Sequence, residues 1–258
     1  MHVAEREKLI IAALQGTGFV SYRDLEARIE ASPATIRRDL ARLDARGEIV
    51  RVRGGAKIPE DEHMGEPSHL TGTPFADALT LNTSAKATIG EAAAKLCRPR
   101  DGLMIDGGTT TFQMCPFLDG LQLQVLTNSL PIVEALLKQD GTRVLVPSGT
   151  VFREQNIILA PAGEESMPRF HAPRLFMGAG AIGLHGIMQA DAIHVASQRR
   201  FLERAEEVIV LADSSKFVKS SGTIVCGLDN VDVILTDSGI DDDMAAAVRA
   251  AGVDLQIV

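Results

Sequence analysis

Residues 32–57 carry the pattern that most restricts what this chain can fold into. Ser32 can accept a hydrogen bond from an orphan amide at a helix start, and Pro33 suits the first helical position, where its missing N–H costs nothing. Ile36, Leu40 and Leu43 recur at i, i+4 and i+7, so one face of the helix is apolar and buried. Thr35, Arg37, Arg38 and Arg42 fall largely on other faces and are expected to point outward. Gly47 reads as the helix stop. Residues 49–53 then alternate apolar and basic side chains and end at Gly54 and Gly55, which is a short strand and its turn. The stretch holds seven basic residues against three acidic ones, a net +4, whereas the whole chain carries −8. A local positive patch on an acidic protein suits a polyanion bound at one face.

The preceding residues complete a unit. Residues 4–14 place Leu9, Ile10, Ala13 and Leu14 at helical spacing, and Gly16 and Gly18 interrupt them. Ser21 with Asp24 has the form of a capping box opening a short helix over 22–29, with Leu25 and Ile29 on one side. Glu30 and Ala31 form the tight turn before Ser32. Helix, short helix, turn, recognition helix and wing together predict a winged helix-turn-helix. In that arrangement Thr35, Arg37 and Arg38 enter the major groove of double-stranded operator DNA, with Ser32 and Arg42 on the same helix. Arg51 and Arg53 on the wing meet the backbone or minor groove.

The segment resembles the N-terminal domain of the DeoR family of bacterial transcription regulators. The resemblance is carried by Gly18-Phe19-Val20, by Ser32-Pro33-Ala34-Thr35-Ile36-Arg37-Arg38-Asp39-Leu40 and by Arg53-Gly54-Gly55-Ala56, and it continues to the C-terminus. It implies a regulator and not an enzyme.

At 258 residues, two domains are expected. The reading is a winged head over 1–57, a linker over 58–82 and an α/β effector domain over 83–258. The linker rests on Pro59, Pro67, Pro74, Gly65, Gly72 and the acidic Glu60-Asp61-Glu62. No apolar run reaches ~18 residues and the N-terminus lacks a signal-peptide core, so a cytoplasmic protein without membrane association is expected. The three cysteines are odd in number and far apart, which fits reduced, packed thiols. The six histidines include no close pair, so neither a metal nor a cofactor is expected.

Beyond residue 83, strand-like segments (103–105, 124–126, 143–146, 174–177, 208–212, 231–236 and 255–258) alternate with helix-like ones (85–96, 131–138, 197–205 and 243–251). That order predicts a largely parallel sheet whose ligand binds beyond the carboxyl ends of the strands. Those ends carry Asp106, Gly107, Gly108, Thr109, Thr110 and Thr111, then Asn128 and Ser129, then Gly149, then Gly178 and Gly180, then Asp213 and Lys216. Glycines admit backbone amides to a ligand, hydroxyls add donors, and a helix N-terminus favours an anion. A phosphate-bearing polyol follows. DeoR-type effector domains resemble ribose-5-phosphate isomerases and sense phosphorylated sugars. By that resemblance residues 107–111 cradle the phosphate, Lys216 adds a point charge, and Asp106, Asn128 and Asp213 bond sugar hydroxyls. Two departures stand out: Ser148-Gly149 in place of Gly-Gly, and Gln198-Arg199-Arg200 in place of a Glu-x-Lys pair. Residues 155–163 and 186–202 further resemble the ascorbate-utilisation branch of the family, which points to a sugar-acid or unusual-sugar pathway.

Two other classes make demands that these residues can be held against. A phosphosugar isomerase needs a carboxylate base over its substrate, and residues 178–181 offer none. An NAD(H)-sensing redox repressor would use Gly178, Gly180 and Gly183 as G-x-G-x-x-G, which requires a helix directly after it. One head makes too little contact for a long operator, so a homodimer or homotetramer is expected.

Overall fold

The computed structural model describes residues 3–17, 19–22, 25, 28–29, 31–46, 49–52, 55–57, 73–159, 167–217 and 222–258. The chain divides into two compact units, Met1–Glu66 and Pro67–Val258.

In the first unit, helices α1 (Val3–Thr17) and α2 (Pro33–Ala45) pack with strands β1 (Phe19–Ser21), β2 (Val50–Val52) and β3 (Gly55–Lys57), which form an antiparallel sheet in the order β1-β3-β2. Ser32 caps α2 by accepting from the Thr35 amide at 3.3 Å, and Pro33 occupies the first turn. Arg46 closes the helix, its amide donating to the Arg42 carbonyl. Ile36, Leu40 and Leu43 are buried with Ile10, Leu25, Ile29 and Ile49, so the apolar stripe is the core face. Leu9, grouped with that stripe by spacing, is 44% exposed. The wing pairs Val52 with Gly55. Tyr22, Leu25 and Arg28 are helical, while Asp24, Gly47, Arg53, Gly54 and the span 58–72 lie outside the described residues.

The second unit is built on a seven-stranded parallel sheet in the order β15-β14-β12-β9-β4-β5-β6. Its strands are β4 (Gly102–Ile105), β5 (Gln124–Thr127), β6 (Arg143–Leu145), β9 (Ala172–Gly178), β12 (Ala205–Leu211), β14 (Val233–Thr236) and β15 (Asp254–Ile257). Successive side chains point to opposite faces, and both faces are buried. Met104, Leu175, Met177, Val208 and Val210 belong to one apolar cluster, while Leu103, Ile105, Phe176, Ile209 and Leu211 belong to the other. Helices α3 (Phe75–Thr80), α4 (Thr83–Ala94), α5 (Thr109–Phe112), α6 (Leu130–Leu136), α7 (Ala192–Leu202) and α8 (Asp242–Ala250) connect or cover the strands. Among the described residues, no helix is long and apolar enough to cross a membrane.

Three features depart from the sequence reading. Residues 73–82 are not linker: Phe75 is buried edge-on against Phe112 at 6.1 Å, and its amide donates to the Glu154 carbonyl at 2.7 Å. A single aromatic with a place to bury outweighs the prolines around it. Helix α7 starts five residues before the expected 197, because Asp191 caps it by accepting from the Ile193 amide at 2.7 Å. It ends at Leu202, since residues from Ala205 are drawn into the sheet. Short strands β7 (Thr150–Phe152) and β8 (Ile157–Leu159) form a hairpin, and β10 (Ala181–Gly183), β11 (Gly186–Gln189) and β13 (Thr223–Cys226) form a small antiparallel sheet. Each is too brief for alternation to mark it. The G-x-G-x-x-G run therefore passes from β9 into strand β10, and lacks the helix a dinucleotide-binding turn requires.

Candidate functional site

On the head, Arg37 and Arg38 are exposed on α2, away from Ile36 and Leu40. The Arg37 guanidinium carbon lies 5.9 Å from the centre of the Tyr22 ring, within the range of a cation–π contact that fixes its direction. Thr35 stands beside them, its hydroxyl 2.9 Å from that of Ser32. Arg51 is exposed on β2, with its amide donating to Asp44 Oδ1 at 3.1 Å.

Arg42 is exposed, as its spacing implied, but its guanidinium is paired within the head. Its Nε donates to Glu7 Oε1 at 3.2 Å and its Nη2 to Asp39 Oδ1. Asp39 is buried and also receives Arg6 Nε at 2.6 Å, while Arg46 Nη2 reaches Glu7 Oε2 at 2.8 Å. The arginine hydrogen bonds, that of Arg46 first, hold the Glu7 carboxyl below its ordinary value. Arg42 thus ties α2 to α1, and the sequence could not show that its partners would be Glu7 and Asp39.

In the second unit the strand-end loops meet at the carboxyl edge of the sheet. Asp106, fully buried past the end of β4, accepts from Gln198 Nε2 at 2.6 Å and from Asn128 Nδ2 at 3.3 Å. His194 Nε2 stands 3.8 Å from the same carboxylate. Gln198 also donates to the Gly178 carbonyl at 3.1 Å, and Asn128 reaches Ser197 Oγ at 3.3 Å. One strand beyond β9, Asp213 Oδ1 accepts from Asn82 Nδ2 at 2.8 Å and from the Ser215 hydroxyl. An open cavity of about 590 Å³ lies there, lined by Asn82, Ser84, Asp213, Ser214, Ser215 and Asp237 among others. Asn82 takes a left-handed conformation (φ 50°), and its side chain is turned to Asp213, so it does not cap α4. The first amides of α4, whose residues 83–85 line the cavity, lack a side-chain cap.

Lys86 is buried on α4 and donates to the Ala78 carbonyl at 2.6 Å. Burial draws its ammonium below the usual 10.5, with the Asp213 charge opposing this and the Lys216 charge adding to it.

Several expected ligand contacts are spent inside the protein. The Gly107 amide donates to Asn128 Oδ1 at 2.9 Å, and a side chain on Gly107 would meet Ile157 at 2.3 Å. The Thr111 hydroxyl donates to the Asp106 carbonyl at 2.8 Å, and Thr110 is buried. Ser129 caps α6, accepting from the Ile132 amide. Asn128 is engaged at both ends of its amide, so it orients Asp106. A Cβ on Gly180 would crowd the Gln189 side chain at 2.7 Å and the Met188 carbonyl at 3.0 Å. Gly149 is exposed ahead of the β7–β8 hairpin, and no described contact brings it to the cluster. Gly108 and Thr109 remain half-buried at the head of α5, and Gly108 lies against Gly178. Arg199 faces elsewhere, binding the Val225 and Ile224 carbonyls, whereas Ser197 and Gln198 are buried with His194, Val195 and Phe201.

The sequence reading missed Asn82, Ser84, Lys86, His194 and Ser197. Lys86 left a signal: it sits at i, i+3, i+7 with Ile89 and Ala93, a charge on the buried stripe of its helix.

Both parts of the chain match known domain families. Residues 6–62 match the DeoR-like helix-turn-helix domain, and residues 81–238 match the DeoR C-terminal sensor domain. The chain belongs to the DeoR family, and is accordingly a transcriptional regulator that binds DNA, not an enzyme. An Escherichia coli O157:H7 protein, provisionally named aga operon transcriptional repressor, is 34% identical over 258 residues, covering 99% of this chain and 94% of that one. The HTH-type transcriptional regulator UlaR of Shigella sonnei (strain Ss046) is 27% identical over 256 residues, with 99% of each chain covered. A ribose 5-phosphate isomerase from Methanocaldococcus jannaschii shares 14% identity and a TM-score of 0.41 over 54% of this chain and 56% of its own. At that level it does not bear on what the chain does.

Proposed function

We propose that this regulator represses a carbohydrate-catabolism operon and that a phosphorylated sugar, bound at the carboxyl edge of the parallel sheet, sets its hold on the operator. Arg37, Arg38 and Thr35 meet the major groove. Ser32 at the helix start and Arg51 and Arg53 on the wing take backbone contacts. The phosphate lies among Gly108, Thr109, Lys216 and the uncapped start of α4, where helix amides and cations favour an anion. Asp106 and Asp213 receive sugar hydroxyls, and Asn128 and Gln198 hold Asp106 in place. The protein acts in the cytoplasm as a homodimer or homotetramer, since paired heads read paired half-sites.

One observation carries the effector reading. Loops after β4, β9 and β12 bring Asp106, Gly178 and Asp213 to one edge, and two strand spacings of roughly 5 Å each separate the outer pair. Ligand control follows if the effector prefers one conformation of the protein, because a ligand shifts an equilibrium only by its differential affinity. The test is a panel of phosphosugars scored for raising the melting temperature and for changing affinity for the protein's own promoter fragment. A panel in which no member does either refutes the reading.

A further inference from the structure

The buried side chains around Asp106 also define what the far end of the effector must offer. Gln198 is fully buried, and its Nε2 faces two acceptors, the Asp106 carboxylate and the Gly178 carbonyl. Those neighbours fix the amide orientation, because a reversed amide would set oxygen against oxygen. The Oε1 atom is left without a hydrogen-bond partner. His194 Nε2, four residues earlier on the same face of α7, is likewise buried without a hydrogen bond, 3.8 Å from the Asp106 carboxylate. Asp106 itself receives hydrogen bonds from two neutral amides. Buried polar atoms are normally satisfied, so these atoms mark the place where a bound group completes them. A Cβ built on Gly178, whose carbonyl Gln198 binds, meets nothing within 4 Å.

We infer that the juxtaposition of Asp106, Gln198 Oε1 and His194 Nε2 selects an effector whose non-phosphate end donates hydrogen bonds, a hydroxyl-bearing sugar phosphate in preference to a phosphorylated sugar acid. Asp106 and Gln198 Oε1 are acceptors only, and the imidazole can serve either role. A hydroxyl donates to Gln198 Oε1 while accepting from His194. A carboxylate has no proton to give, leaves Oε1 unpaired, and brings a second negative charge to Asp106. Leaving one buried acceptor unpaired is enough to weaken binding by about tenfold or more. This inference rests on the proposed sugar-phosphate site and narrows its ligand.

The experiment compares, on the full chain, an aldohexose 6-phosphate, the corresponding alditol 6-phosphate, the aldonate 6-phosphate and inorganic phosphate, by calorimetry and by release from the promoter fragment. The aldose or alditol phosphate should bind at least about tenfold more tightly than the aldonate. An aldonate that binds as well or better overturns this inference and leaves the sugar-phosphate site standing. Absence of binding by all four overturns the site itself, and the inference with it. Gln198→Lys places a donor and a positive charge where Oε1 stood, and should move the aldose-to-aldonate preference toward the aldonate by about tenfold. A folded Gln198→Lys protein with an unchanged ratio removes Gln198 from the selection, and the wild-type panel decides the matter without any variant.

Discussion

The clearest mutational contrast lies on a single helix. Arg38 is exposed on α2, whereas Arg42, one turn later, is held by Glu7 and Asp39. A cation that neutralises a DNA phosphate contributes about 0.9 to the slope of log affinity against log salt. Arg38→Ala should therefore lower the slope by about 0.9 per head, or about 1.8 for a dimer with both heads engaged. Between 50 and 200 mM salt that difference changes the ratio of wild-type to mutant affinity by roughly 3.5-fold for one head and 12-fold for two. Arg42→Ala should leave the slope unchanged, because its charge is already matched within the protein. Its effect falls on the packing of α1 against α2. The assay is fluorescence anisotropy of a labelled promoter fragment titrated at five salt concentrations, with circular dichroism to confirm folding. Equal slope losses in the two mutants, or none in Arg38→Ala, would refute the division between a DNA-facing arginine and one paired within the head.

Other outcomes follow from the second unit. Gly178→Ala should melt like wild type, as its Cβ meets nothing within 4 Å, yet lose effector response by intruding on the cleft. Gly90→Ala should cost about 1–3 kcal/mol, read by urea unfolding, because its Cβ would lie 2.6 Å from the Gln113 backbone, which cannot rotate away. Lys86 is held below its ordinary 10.5, so over the pH range between its lowered value and 10.5 the unfolded chain binds a proton that the folded one has released. Stability should accordingly rise with pH across that window, and Lys86→Met should flatten the rise in melts taken at successive pH values. Burial pushes the Cys97 and Cys115 thiols up to about 12 and Cys226 to about 11, so iodoacetamide should label none of the three in native protein at neutral pH, and all three in denaturant, by mass spectrometry.

The sequence made the head readable because its signals are local. A cap, a stripe at i, i+4, i+7 and a two-residue turn each lie within a few positions of one another, and Ser32, Ile36 and Leu40 did what their spacing demanded. The alternation of strands and helices exposed the parallel sheet for a similar reason. What stayed hidden depends on partners far along the chain. Nothing near Arg42 announces Glu7, and nothing near Asn82 announces Asp213, 131 residues away. The glycine-rich loops were found by composition, but composition could not separate Gly178, which faces open space, from Gly107, which makes room for Ile157. His194 escaped because it precedes residue 197, where the helix was expected to start.

The position of β9 at the middle of the sheet has a consequence for synthesis. Strands β4, β5 and β6 lie to one side of it and β12, β14 and β15 to the other, so Ala172–Gly178 is the seam between the early and late halves of the polypeptide. A nascent chain that ends just before this seam holds Asp106 and Asn128 but neither Gln198 nor Asp213. The buried Asp106 carboxylate therefore lacks its Gln198 partner until the ribosome has passed both β9 and α7.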